Sequence, residues 1–380
     1  KIAGGLSCHS VFSPTHPRRC PSAPRRKMAK DAAIDKGRAI IQVFIHDLRR
    51  RKIAGSFTVA KRTAELLRIV ISTEKWKTAQ DLITRLHALG KELTSIVPHE
   101  LAIGNIVRQV LHVVREQYRV CKENEETSQQ PSSIMANTNP LYASILSTTK
   151  EDFSTPMPSL KSAILDELNQ MIDIAISDIY NNVAEQAIEH IHSNEVVLTY
   201  GKSQTVLEFL KAAARKRKFE VIVAESLPSY AGHTTASHLS ACGISTTLVS
   251  DAAIFAMMSR VNKVIIGTHA VLADGGLIAH TGIHALALAA SHHRVPVVVC
   301  TGLYKLCPVY SSLPHEFNLL MSPSDIMDFD QSPNVEVYNP TYDYIPPNLV
   351  NMFITNDKAH SPSYVYRLLS EHYSLEDYEF

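Results

Sequence analysis

Between Ile34 and Tyr118 apolar residues recur every three to four positions: Ile41, Phe44, Ile45 and Leu48; then Leu66, Leu67, Val70 and Ile71; then Leu82, Ile83, Leu86 and Leu89; then Ile103, Ile106, Val107, Val110, Leu111 and Val114. That spacing puts each set on one face of an α-helix, so residues 28–122 predict four amphipathic helices in a compact helical domain. Gly55 with Ser56 and Thr58, Gly90, and Pro98 fall between the sets, where breakers and caps belong. Residues 123–160, with the runs ENEETSQQPSS and STPMPS, have no sustained period and predict a polar linker or loop. Helical spacing resumes from about Leu160 to His192, through Ile164, Leu168, Ile172, Ile176, Ile179 and Val183, predicting one long helix that joins two domains.

After His192 the period changes. VVLTY (196–200), EVIVAES (220–226), TTLVS (246–250), KVIIG (263–267) and VPVVVC (295–300) are short, β-branched and almost continuously apolar, the pattern of parallel strands buried on both faces. Between them, SQTVLEFLKAAARKRK, TTASHLSACG, DAAIFAMMSRV and HALALAASHHR have helical spacing. The predicted fold class is therefore α/β: an amino-terminal helical domain followed by a doubly wound, mostly parallel Rossmann-like sheet over residues 161–380. Residues 330–380 are Pro- and Tyr-rich and predict an extension packing on the sheet or on a partner. Its tyrosines (Tyr338, Tyr342, Tyr344, Tyr364, Tyr366, Tyr373, Tyr378) are rings of a kind enriched at interfaces.

Composition narrows the function classes. With 38 basic and 37 acidic residues the net charge is +1, which gives no global electrostatic grip on nucleic acid or an anionic membrane. At 45% hydrophobic residues over 380 positions the chain can bury substantial cores. Its six cysteines are scattered, with no CxxC pair, which suits a reducing compartment, and no apolar run approaches the ~18 residues of a membrane span. Residues 1–27, with four prolines and only basic charges, predict a disordered tail.

Candidate chemistry falls at strand ends. In a doubly wound sheet ligands bind beyond the carboxyl ends of the strands, and TYGKSQT (199–205) lies there. Gly201 permits close backbone approach, Ser203 can cap the next helix, and the free amides could hold a phosphate; an ordinary capped turn explains the same residues. A P-loop would need glycine where Val196 stands. GTHAVLADGGLIAHTG (267–282), with His269, Asp274 and His280, reads either as a glycine-rich catalytic loop or as a hairpin-like excursion returning to a helix at His284. The basic runs Arg49–Lys52 and Arg215–Lys218 end predicted helices, where cations suit the dipole. No metal-ligand spacing, GxSxG or HExxH is present.

Several blocks in order carry a resemblance: EHIHSNEVVLTYGKSQTVLEFLKAAARKRKFEVIVAES, SDAAIFAMMSRVNKVIIGTHAVLADGG, TGIHALALAASHHRVPVVVC and SPSYVYRLLSEHY. From about Met28 onward the chain resembles the regulatory subunits of eukaryotic translation initiation factor 2B, and within them the beta branch. That resemblance implies a cytosolic, non-catalytic subunit of a guanine-nucleotide exchange complex. Its implied partners are the alpha, gamma, delta and epsilon subunits in a hetero-decamer, and translation initiation factor two, whose phosphorylated alpha subunit the helical domains help to sense. Arg49 and Arg50 are candidate sensing positions; no cofactor, nucleic acid or membrane is implied. The fold is also similar to aldose-ketose isomerases acting on methylthioribose 1-phosphate and ribose 1,5-bisphosphate, which offers the alternative of an isomerase or a phosphometabolite-binding protein. Where those enzymes carry a cysteine and an aspartate, this chain has Gly201 and His269, and Ala279 and His280 stand in their substrate loop. The resemblance thus implies a remnant pocket formed by Gly201, Lys202, Ser203, Asp251 and His269, without the acid and base that proton transfer needs.

Overall fold

The computed structural model describes residues 38–53, 55–129, 152–310, 318–328 and 334–380. The predicted tail over residues 1–27 and the middle of the predicted linker lie outside the described residues. Four helices form as the spacing predicts: α1 (38–49), α2 (Ser56–Thr73), α3 (Ala79–Ile96) and α4 (Leu101–Gln129). Thr78 caps α3 in a reciprocal capping box with Asp81. Their apolar faces share one core with Phe153, Met157 and α5 (Leu160–Gln170).

Three boundaries differ from the sequence reading. α4 runs past residue 122 into the predicted linker, through a Glu-rich stretch that favours helix. At the linker's other end Phe153 and Met157 are buried, with the Phe153 ring 5.1 Å from that of Tyr118. Gly90 lies inside α3 instead of between helices: a Cβ there would stand 2.9 Å from Val107 of α4 and 3.0 Å from the Phe380 ring, so the missing side chain makes room for both.

The single long helix expected after Leu160 is instead α5, a π-helical turn (Met171–Ser177), α6 (Ile179–Glu185) and α7 (Ala187–His190). Its apolar residues repeat nearly every four positions, so in an ideal 3.6-residue helix the stripe would wind around the axis. One wide turn absorbs the drift. Ile164, Leu168, Ile172, Ile176 and Ile179 therefore face the helical core, while Val183, Ala187 and Ile191 face the sheet.

The main sheet contains β1 (Val196–Tyr200), β2 (Glu220–Ala224), β3 (Ser245–Val249), β4 (Lys263–Gly267), β7 (Val297–Cys300), β9 (Met352–Ile354) and β10 (Ala359–His360). Their spatial order is β10-β9-β7-β4-β1-β2-β3, parallel except for the β10–β9 pair. Helices α8 (Gln204–Ala214), α9 (Ala231–Ala241), α10 (Ile254–Met258) and α11 (Ile283–His293) connect the strands. The residues after β4 take the hairpin reading: β5 (Ala270–Val271) and β6 (Leu277–His280) pair antiparallel, and β8 (Tyr342–Ile345) completes a small sheet. The carboxyl-terminal extension thus adds strands to both sheets before forming α12 (Val365–His372) and a final segment through Phe380.

Burial on both faces holds for β1, β4 and β7 but fails for β3, where Ser245, Thr247 and Leu248 are exposed. β3 is the sheet's outer strand.

Candidate functional site

The chain turns from β1 to β2 and β3 on one side, then crosses to β4 on the other, so the topological switch point lies between β1 and β4. The turns after those two strands face each other there. Gly201 takes φ +60°, a conformation that favours glycine, and its carbonyl accepts from the Thr235 hydroxyl at 2.7 Å. Ser203 caps α8, its hydroxyl accepting from the Val206 amide at 3.5 Å. Gly267 closes β4 directly against the Ser203 side chain, leaving no space for a Cβ.

Across these turns lies a cavity of about 590 Å³, lined by Lys202, Ser203, His269 and Lys305 from the sheet side and by Ser56 and Glu100 from the helices. Of the sequence-predicted residues it brings together Lys202, Ser203 and His269. Gly201 and Asp251 do not line it. Asp251 accepts from the amides of Ser226 at 3.0 Å and Leu227 at 2.8 Å and from the Tyr200 hydroxyl at 3.3 Å, so it fixes the loop after β2. Arg49 and Arg50 are exposed at the end of α1, away from the cavity.

His269 is fully engaged. Its Nε2 lies 3.1 Å from the His99 carbonyl, which can only accept, so Nε2 carries the hydrogen and Nδ1 accepts from the Ser56 hydroxyl at 3.1 Å. Burial holds the imidazole down to about 3, opposed by the His99 hydrogen bond, so it is neutral at physiological pH. The 3.8 Å approach of Glu100 Oε2 to Nε2 is therefore not an ion pair. The ring also stacks on Tyr342, with centroids 4.4 Å apart.

Glu100 and Lys305 are the two charged side chains buried in the lining. Glu100 Oε2 is buried without a hydrogen-bond partner, and burial pushes its carboxyl up to about 7, against the pull of Arg51 and Lys305. Lys305 Nζ donates to the Thr268 carbonyl at 2.7 Å, and burial brings it down to about 8. The cavity therefore offers one carboxyl poised near neutrality and one buried amine, beside a histidine with no free ring nitrogen. Sequence reasoning missed both: Glu100 precedes a helix and Lys305 follows a strand, and neither sits in a motif. Among the described residues no cluster of three or more His, Cys, Asp or Glu could hold a metal ion, and no helix is long and apolar enough to cross a membrane.

The sequence profile of the Initiation factor 2 subunit family matches residues 52–359. The chain is 46% identical over 369 residues to Translation initiation factor eIF2B subunit beta of Dictyostelium discoideum, covering 88% of this chain and 95% of that protein. The corresponding protein of Schizosaccharomyces pombe is 39% identical over 379 residues, with 89% and 96% covered. A ribose 1,5-bisphosphate isomerase of Pyrococcus furiosus is 25% identical over 332 residues, with 86% and 92% covered. Among solved structures, eIF2B beta from Chaetomium thermophilum superposes with a TM-score of 0.72 at 30% identity, covering 94% of this chain and 99% of that one. A chain of the tetrameric eIF2B-beta2-delta2 complex from the same organism gives 0.66 at 29% identity, with 92% and 100% covered.

Proposed function

Because the chain belongs to the Initiation factor 2 subunit family, we propose that it is a regulatory subunit of the guanine-nucleotide exchange complex that recycles GDP-bound initiation factor two. The observation that carries this reading is its likeness across nearly the whole chain to eIF2B beta subunits, one of them in a beta–delta complex. The exposed side of the sheet supports an interaction role. β3 has neither charge nor proline to guard its open edge, and Leu248 on it and Phe255 just after it are 41% and 53% exposed. A parallel sheet normally has both faces covered, and a partner subunit would cover these side chains here.

The experiment is native mass spectrometry of the chain, tagged and purified gently from its own cells, beside a Leu248→Asp variant. The expected result is a large assembly containing the alpha, gamma, delta and epsilon subunits, depleted in the variant. A lone chain or a simple homodimer overturns the reading. We further propose that the helical bundle contributes to sensing phosphorylation of the substrate's alpha subunit, with Arg49 and Arg50 as exposed cations able to pair with phosphate. Reversing both charges should weaken discrimination between phosphorylated and unphosphorylated substrate while exchange on the unphosphorylated form persists; unchanged discrimination removes these positions from the role.

A further inference from the structure

The segment from Tyr373 to Phe380 leaves α12 and crosses to the helical bundle. Its root is fixed in the sheet domain: Val365, Leu368, Leu369 and Tyr373 are buried beside α11 and β9 residues, and the Tyr373 hydroxyl donates to the Leu306 carbonyl at 2.7 Å. Its far end lies between α3 and α4. Arg108 donates to the carbonyls of Asp377 at 3.1 Å and Tyr378 at 3.0 Å, which fixes the segment's backbone. The Asp377 side chain, with no solvent exposure, receives Nε and Nη2 of Arg115 at 3.0 and 2.9 Å and Nε2 of His87 at 2.7 Å. Beyond it the Phe380 ring rests on the Arg108 guanidinium, 4.4 Å from ring centroid to charge, and packs into the space left by Gly90. α3 and α4 thus carry a seat for this segment, made of a missing side chain, two arginines and a histidine.

We propose that residues 373–380 are a strap that holds the helical bundle against the sheet domain, and that its seat can open while the sheet stays folded. The bundle and the sheet also meet where Asn105 donates to the Tyr304 carbonyl and where His269 meets Ser56 and His99, so releasing the strap leaves the two parts joined but free to shift. A charged and aromatic tail held in a helical groove is a device by which changes at one part can be felt at the other.

The test is hydrogen exchange read by mass spectrometry on the full chain, comparing the parent with Asp377→Asn, Phe380→Ala and Gly90→Ala. The first two weaken the strap, and the third adds a methyl that presses on both Phe380 and Val107 of α4. The expected result is the same for all three: exchange rises at least about tenfold in the segments of α3 and α4 spanning 87–115, while β1, β4 and β7 keep parental protection. Unchanged exchange in α3 and α4 overturns the proposal. So does loss spread equally through those strands, because the segment would then be ordinary core of one cooperative unit. Phe380→Ala leaves the Asp377 ion pairs in place and keeps the test decisive if Asp377→Asn fails to fold.

Discussion

Two polar clusters join the helical bundle to the sheet domain, and they are built on opposite principles. In the strap seat each buried charge is matched: Asp377 faces Arg115 and His87, and Arg108 is taken up by two carbonyls. In the strand-end cavity the charges are unmatched: Glu100 has an orphan oxygen, Lys305 has only a carbonyl, and about 590 Å³ lies open between them. Removing buried charge from water is costly, and only a full set of partners offsets it. The strap seat therefore behaves as structure. The cavity keeps a buried carboxyl and a buried amine without full sets of partners, as binding sites commonly do and cores do not.

The largest expected effect tests the matched side. Asp377→Ala removes the buried carboxylate from Arg115 and His87 and leaves Arg115 only the exposed Glu376, which should cost about 3 kcal/mol. Glu376 is the internal control: it also reaches Arg115, at 2.6 Å, but its side chain is 64% exposed, so Glu376→Ala should cost no more than about 1 kcal/mol. Urea denaturation of the two variants checks the contrast, and equal losses would remove the distinction between matched burial and surface pairing. Acid sharpens it. Burial alone would raise the Asp377 carboxyl, but hydrogen bonds from His87 and Arg115 outweigh it and hold the group below the usual carboxylate range. A depressed folded value means its stabilisation is present above the ordinary carboxylate pKa and is lost as pH falls through the folded one, so the parent should lose stability in acid more steeply than Asp377→Ala.

The regular elements of both clusters were legible in the sequence, and the contacts were not. Helical and strand periods located α2, α3, β1 and β4 because a repeating apolar face is a local property of the chain. The turn after β1 and the hairpin after β4 could be read from Gly201, Ser203 and the glycine-rich run. Gly90 was misread as a breaker because the reasons for it, Val107 on the next helix and the Phe380 ring 290 residues away in sequence, are tertiary contacts. Glu100, Lys305 and Asp377 are unremarkable charges until folding strips their water, and no spacing rule announces that. The π-helical turn was hidden for a subtler reason: a repeat of four fits a helix closely enough to pass as one, and the excess accumulates only over several turns.

The smaller prediction tests the unmatched side, through the same kind of group with the opposite sign. Burial raises the Glu100 carboxyl to about 7 in the folded chain, from an ordinary value of 4.5 that holds in the unfolded chain. Below pH 4 the group is protonated in both states and carries no ionic penalty. Between about pH 4 and 7 the unfolded chain releases the proton more readily, so stability falls as pH rises and the loss is complete above the folded value. Glu100→Gln keeps the shape and removes the titration. It should match the parent near pH 4 and exceed it at pH 8 by on the order of 2 kcal/mol, read from urea midpoints at the two pH values. Lys305 works against the full gain, because a carboxylate beside it steadies its own charge. A parent that is more stable than Glu100→Gln at pH 8 would mean that Glu100 is matched after all, and the contrast between cavity and strap would have to be abandoned.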